Sequence, residues 1–219
     1  MSVEEFPELS RRRFVQYLAG GAISLPALNW LGPGALGWAA PAQSNTPAQN
    51  FANAPANLTW RIVMGAPDEP GEPMMIRGTI FGDDGHTPLE GARLYVYHTD
   101  ARGYYNAKHS FSDPPRLRGW IQTGPGGRYE FRTIKPAPYP GRQIPAHIHP
   151  TADAPGYPAQ WIDEYWFEGD PFLKPEDIAK NKGKGSFSAI VKLTRDSSGV
   201  LVGVRDIRLA RDWRPRPGA

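Results

Sequence analysis

Residues 92–98 read ARLYVYH, a short run of branched and aromatic side chains set between Gly91 and the polar stretch TDARGYYN at 99–106. Such a run suits a β-strand, because branched and ring side chains pack well on a pleated, half-buried surface. The same texture recurs along the chain. MIRGTIF at 75–81, GRYEFRT at 127–133, SFSAIVKL at 186–193 and the segment 201–209 are all short and β-rich, and several alternate apolar with polar positions. Turn signals separate them: GDDGHTPLEG at 82–91, GPGG at 124–127 and DSSG at 196–199. With 24 Gly and 24 Pro in 219 residues, helical periodicity is hard to find outside a short turn at 175–181. The expected fold class is all-β, a two-layer antiparallel β-sandwich, with a barrel as its rival. Long loops are expected at 104–119 and 136–163, and loops of that length in a compact domain usually carry function.

The first forty residues read differently. SRRRFVQ at 10–16 sets consecutive arginines ahead of an uncharged, mostly apolar run at 14–31, and Ala40-Pro41-Ala42 supplies a small-x-small cleavage site. This pattern matches a twin-arginine signal peptide over residues 1–42, with a mature start near Gln43. A membrane anchor fits less well, because the run is short and broken by Gly20, Gly21 and Pro26. The expectation is a bacterial protein exported to the periplasm or beyond by the twin-arginine machinery, with no membrane contact after cleavage. Residues 43–58, rich in Ala, Asn, Pro and Gln, read as a mobile linker or extended arm, leaving 59–219 as a single sandwich domain. The chain has no cysteine, which removes disulfides and thiolate metal sites. Its net charge of +3 comes from scattered basic residues, so nothing points to nucleic acid. A homo-oligomer is compatible with the sequence, which does not encode the oligomeric state.

Chemistry concentrates in PYPGRQIPAHIHP at 138–150. On an extended segment, residues two apart face the same way, so His147 and His149 point together while Ile148 points opposite. Two imidazoles on one face make a metal-binding pair, and tyrosines stand nearby: Tyr139 in the same stretch, with Tyr104 and Tyr105 at the end of the 92–98 run. With no thiolate available, phenolate is a strong anionic oxygen donor that suits a hard cation, and a bound cation would hold it deprotonated. Zinc would instead recruit a third histidine or a carboxylate. Two His and two Tyr point to non-haem ferric iron.

The segments YHTDARGYY (97–105), RGWIQTGPGGRYEFRTIKPAPYP (118–140), PAHIH (145–149) and YWFEGDP (165–171), in this order, resemble the intradiol ring-cleavage dioxygenases of catechol and protocatechuate type. The resemblance spans roughly residues 75–210 and implies four Fe(3+) ligands at Tyr105, Tyr139, His147 and His149. Tyr105 is chosen over Tyr104 as the last tyrosine of a D-x-x-G-x-Y pattern that starts at Asp100, and Tyr104 is read as a packing aromatic. The implied reaction takes a catechol-type diol and O2 to a muconate-type diacid, with Tyr139 leaving the metal as the diol binds and taking one of its protons.

Two positions depart from the family pattern. Where an arginine is expected just before PAHIH stands Ile144, and where glutamine is common ahead of the YWFEGDP segment stands Glu164. Arg142 is the nearest candidate to replace the missing charge, with Arg102, Arg116 and Arg118 on loops behind it. Glu164 is expected to pair with Arg142 or another of these arginines. Trp120, Trp161 and Trp166 are assigned to packing, His86, His98 and His109 to structural or surface roles, and the Asp83-Asp84-Gly85 motif to turn chemistry rather than calcium. The alternative reading is a transthyretin-like β-sandwich binding module without turnover, and a third is a zinc- or copper-binding protein.

Overall fold

A computed structural model describes residues 46–110 and 113–215. The expected twin-arginine segment and its cleavage site lie outside the described residues. Twelve strands run β1 Arg61–Val63, β2 Pro73–Phe81, β3 Arg93–His98, β4 Leu117–Gln122, β5 Arg128–Ile134, β6 His147–Ala154, β7 Tyr157–Trp161, β8 Tyr165–Phe167, β9 Ile190–Val191, β10 Leu193–Arg195, β11 Leu201–Val204 and β12 Ile207–Arg208. One short helix, α1 at Pro175–Asn181, falls on the expected turn, with a proline in its first turn and acidic Glu176 and Asp177 at its positive end.

The strands form two six-stranded sheets, as a sandwich requires. One has the order β1-β5-β2-β11-β10 with β12 also paired to β2, and the other β4-β3-β6-β8-β9 with β7 paired to β6. The long ladders, β2 with β5 and β3 with both β4 and β6, are antiparallel as expected. Parallel pairing enters only through short ladders: β1–β5, β2–β11, β2–β12 and β8–β9.

Residues 92–98 become the middle of the second sheet because their pattern serves two faces. Leu94 and Val96 are fully buried in the core between the sheets, with Ile76, Ile80, Phe131 and Ile148. Each such side chain contributes about 1.5–3 kcal/mol by leaving water. Tyr95 and Tyr97 alternate to the outer face and gather with Phe51, Tyr105 and the partly buried Trp120 and Tyr139 in a second, aromatic cluster. The functional site is built on that outer face.

Nearly half of the expected loop at 136–163 is strand: 136–146 is irregular, and β6 and β7 follow it, joined by a tight turn. The prolines at 145, 150 and 158 argue against strand locally, yet β6 lies between β3 and β8 and its buried side chains outweigh the lost amide donors. The expected run at 186–193 begins instead as a 3-10 turn, Gly185–Phe187. Residues 47–58, expected as a linker or arm, open with a docked 3-10 turn at Pro47–Phe51 in which Phe51 is buried. Among the described residues no helix is long and apolar enough to cross a membrane.

Candidate metal centre

β6 delivers both histidines. Ile148 points into the core with no exposed surface, so His147 and His149 emerge together on the outer face. The register places His149 beside Tyr97 on β3 and His147 beside Trp166 on β8. The Tyr97 ring stacks on the His149 imidazole, centroids 4.6 Å apart and 16° from parallel, and fixes its plane.

The two tyrosines come from loops on the same face. The turn after β3 is closed by Asp100, whose carboxylate accepts from the Arg102 and Tyr104 amides at 2.9 and 3.0 Å. Gly103 adopts φ +88°, and a Cβ there would lie 2.2 Å from the Pro138 carbonyl oxygen. The spacing D-x-x-G-x-Y therefore has a steric cause: only glycine lets the Tyr105 turn press against the Pro138–Pro140 segment that carries Tyr139. Tyr104 stacks on His109 at 3.6 Å and lies outside the donor group, as expected of a packing aromatic.

The four residues named from sequence converge. Tyr105 Oη lies 2.8 Å from His149 Nε2 and in a short contact with Tyr139 Oη. Tyr139 Oη is 3.1 Å from His147 Nε2 and 3.3 Å from His149 Nε2, and the two Nε2 atoms are 3.0 Å apart. The other imidazole nitrogens are already engaged. His147 Nδ1–H donates to the Pro145 carbonyl at 2.6 Å, and His149 Nδ1–H to Glu164 Oε1 at 3.1 Å. Both Nε2 atoms therefore present lone pairs, and two phenol protons are shared among four atoms that would all rather accept. A cation resolves that repulsion. Donors at about 2.0–2.1 Å from a first-row metal stand about 2.9–3.4 Å apart around it, which matches the separations of Tyr139 Oη and the two Nε2 atoms. The set of two imidazoles and two phenols fits ferric iron, since phenolate suits a hard cation.

Burial holds the protons on the phenols until a cation replaces them. It pushes Tyr139 up to about 12, reinforced by negative Glu164 and opposed by the Tyr105 hydrogen bond and positive Arg142. Burial also drives Tyr105 well above the ordinary range, with Tyr139 adding to the rise. His147 is lowered by burial and by neighbouring His149, which keeps it neutral with Nε2 able to donate a lone pair.

Glu164 corrects one expectation: its carboxylate engages His149 and accepts from Trp166 Nε1 at 3.1 Å rather than pairing with an arginine. Burial disfavours its ionisation, but the hydrogen bonds from His149 and Trp166 and the electrostatic pull of the two imidazoles outweigh that and hold it at about 2. Its oxygen lies within 4.8 Å of ligating atoms of both histidines. It nevertheless sits behind His149, on the side away from the phenols, where it orients the ligand and increases its basicity. Trp166, assigned to packing from sequence, is thus a partner of the site. Tyr97 was missed altogether, although its place two residues before Thr99 on the strand that ends at the ligand turn was a usable signal.

The four arginines considered for the charge missing at Ile144 are placed as follows. Arg102 pairs with Asp100 at 3.0 Å, Arg116 forms a two-pronged pair with Glu69 at 2.5 and 2.6 Å, and Arg118 donates to the Pro115 carbonyl. Arg142 follows Tyr139 by three residues, donates its amide to the Tyr139 carbonyl at 3.1 Å, and acts electrostatically on that phenol.

The other secondary expectations hold. His98 is buried between the Thr99 carbonyl and Thr133 Oγ1, each at 2.7 Å, and Asp84 closes a turn through the His86 and Thr87 amides at 2.8 Å. The N-terminal turn was not foreseen as part of the site. Trp120 Nε1 donates to the Asn50 carbonyl at 2.8 Å, Asn50 Nδ2 to Thr151 Oγ1 at 2.7 Å, and Phe51 packs into the aromatic cluster that holds Tyr105 and Tyr139.

Comparison with known proteins agrees with this geometry. Residues 46–209 match a family model described as Dioxygenase. A 6-chlorohydroxyquinol 1,2-dioxygenase from Cupriavidus pinatubonensis is 32% identical over 124 residues, covering 49% of this chain and 44% of the relative. Catechol 1,2-dioxygenase 1 from Acinetobacter lwoffii is 33% identical over 129 residues, covering 49% and 40%. The chain thus spans less than half the length of these curated relatives. Among solved structures, the dioxygenase domain of a dioxygenase–carbohydrate-binding protein fusion from Streptomyces sp. SirexAA-E aligns over 71% of this chain and 90% of its own, at 27% identity and TM-score 0.53. With the family model covering most of its length and the donor set in place, the chain belongs to the intradiol dioxygenase family.

Proposed function

We propose that this protein is a non-haem ferric-iron dioxygenase that cleaves catechol-type diols between the two hydroxyl-bearing carbons, with iron held by Tyr105, Tyr139, His147 and His149. The carrying observation is the convergence of these four donors with both imidazole Nδ1 atoms already committed. Bound iron would supply Lewis-acid activation of the diol towards O2. Both atoms of O2 enter the product, so a catechol and one O2 balance to a muconate-type diacid with no external reductant.

The chain's own residues divide the remaining work. Both tyrosines sit on loops, but Tyr105 is buried whereas Tyr139 is only partly buried, so Tyr139 is the donor able to swing away. As phenolate it takes one diol proton at Oη, and its high proton affinity in this buried setting drives the transfer. Arg142, beside Tyr139, offsets negative charge that develops on the diol. Glu164 and the Pro145 carbonyl hold the imidazoles in the tautomer that leaves Nε2 free. Tyr97, Tyr105, Trp120 and Phe51 form an aromatic wall that suits a flat ring and excludes water.

The purified protein is expected to be burgundy-red from tyrosinate-to-iron charge transfer, to change colour with a catechol, and to consume one O2 per diacid formed. A colourless, zinc-loaded protein, or a red one that binds catechol without taking up O2, would overturn the reading. Residues 1–42 support export by the twin-arginine route: replacing Arg11, Arg12 and Arg13 with lysine should leave the protein in the cytoplasm, and undiminished export would refute it.

A further inference from the structure

Beyond the diol site, a cleft of about 440 Å³ opens beside the ends of β7 and β12. Trp161, Phe187 and Trp213 give it aromatic walls, and Lys184, Arg205 and Arg208 give it positive charge. Asp163 and Asp206 also line it, but Asp206 accepts the Thr79 amide at 2.8 Å.

Arg205 is the anomaly. Only 3% of its surface is exposed, and its Nε and Nη1 are buried without a hydrogen-bond partner among the described residues. Its guanidinium lies over the Tyr165 ring, 4.3 Å from the centroid. Its backbone is pinned on both sides: the amide donates to the Arg77 carbonyl at 3.0 Å, and its carbonyl accepts the Tyr129 hydroxyl at 2.6 Å. The segment between β11 and β12 is therefore held in place under the guanidinium. A buried guanidinium with two donor atoms left unbonded is costly, and a ring face compensates only part of the lost hydration. Such groups call for a missing partner.

We propose that this cleft is a second binding site, distinct from the diol site, for an aromatic carboxylic acid whose carboxylate neutralises the Arg205 end and whose ring lies among Trp161, Phe187 and Trp213. A carboxylate matches the planar fork of a guanidinium, and three aromatic walls select a flat apolar body over a small inorganic ion.

Benzoate is the probe, titrated into the protein as purified while tryptophan fluorescence and the visible absorption are followed together. Saturable fluorescence change is expected with half-saturation near or below about 1 mM, with the visible band unmoved. Neutral benzamide and ring-free acetate should each bind at least about tenfold more weakly. Arg205→Leu removes the anion partner and should abolish saturation. Trp213→Ala, at a half-exposed position near the end of the chain, should weaken it about tenfold even if the core variant fails to fold. Acetate or phosphate binding as tightly as benzoate, undiminished affinity in Trp213→Ala, or a fluorescence change that tracks the visible band would each overturn the assignment.

Discussion

Replacing Gly103 by alanine puts a methyl group 2.2 Å from the Pro138 carbonyl oxygen and 2.8 Å from Pro140 Cδ, where real Cβ atoms stay beyond 3.0 Å. The Pro138 carbonyl must retreat by about 1 Å to restore ordinary contact, and Tyr139 is the next residue. The turn itself cannot yield easily, because Asp100 grips the amides of Arg102 and Tyr104 and its carbonyl accepts the Gly103 amide at 3.0 Å. Alanine at φ +88° adds about 1–2 kcal/mol of backbone strain. For a domain of this size each kcal/mol lowers Tm by about 2–4 °C, so the stability loss is measurable but survivable. A misplacement of about 1 Å at a reacting group costs about a hundredfold in rate. Gly103→Ala is therefore expected to lower kcat about a hundredfold and to shift or weaken the tyrosinate charge-transfer band, with a Tm loss of only a few degrees. Gly91→Ala is the control, since φ there is +77° but an added Cβ meets nothing within 4 Å: it should lose Tm alone. A Gly103→Ala protein with unchanged kcat and colour would show that this turn does not set the position of Tyr139.

Glu164→Gln keeps the shape but cannot satisfy both His149 Nδ1–H and Trp166 Nε1–H with one oxygen, so iron affinity measured against a competing chelator should fall about 10–100-fold; an unchanged affinity would remove the orienting role. Phe51→Ala costs the docked N-terminal turn about 3 kcal/mol of ring burial, and steady-state kinetics should show KM for the diol rising with kcat nearly unchanged. Arg142→Met should lower kcat/KM about tenfold with Arg142→Lys partly restoring it, while equal activity in both variants would remove Arg142 from the reaction. Burial holds His98 at about 4, so between pH 6.5 and 4 the unfolded chain takes up a proton that the folded one refuses. Stability is whole above pH 6.5 and falls by up to about 3 kcal/mol as the pH drops to 4, and denaturant titrations of His98→Asn should lose this part of the slope.

The sandwich was legible because residues such as Leu94, Tyr95, Val96 and Tyr97 each obey the period-two rule, one face for the core and one for the site. The four donors were legible for a related reason: the spacing His-x-His on an extended segment and Asp-x-x-Gly-x-Tyr on a turn each encode a local geometry. What remained hidden depends on neighbours far apart in sequence. β6 and β7 fall within the expected loop at 136–163, and pairing of β6 with β3 and β8, and of β7 with β6, shows them to be strand. Likewise the polar, alanine-rich 46–58 segment looks uncommitted until Phe51 meets Tyr95 and Tyr97.

Glu164 shows how a departure from the family pattern can be wrongly paired from sequence. Ile144 in place of arginine removes a positive charge, and Glu164 in place of glutamine adds a negative one, so the two do not cancel; they make the site more negative by two charges. The geometry separates the two problems instead. Glu164 places its charge behind His149, one hydrogen bond away from the ligating nitrogen, where it strengthens a donor to a cation and is itself held ionised by the histidines. Arg142 acts on Tyr139, where a diol would bring its own negative charge. On this account the Glu164→Gln change should act on metal affinity and the Arg142→Met change on turnover, and a double variant should show the sum of the two effects within a few tenths of a kcal/mol. Strong non-additivity would mean that the carboxylate and the guanidinium work as one unit after all.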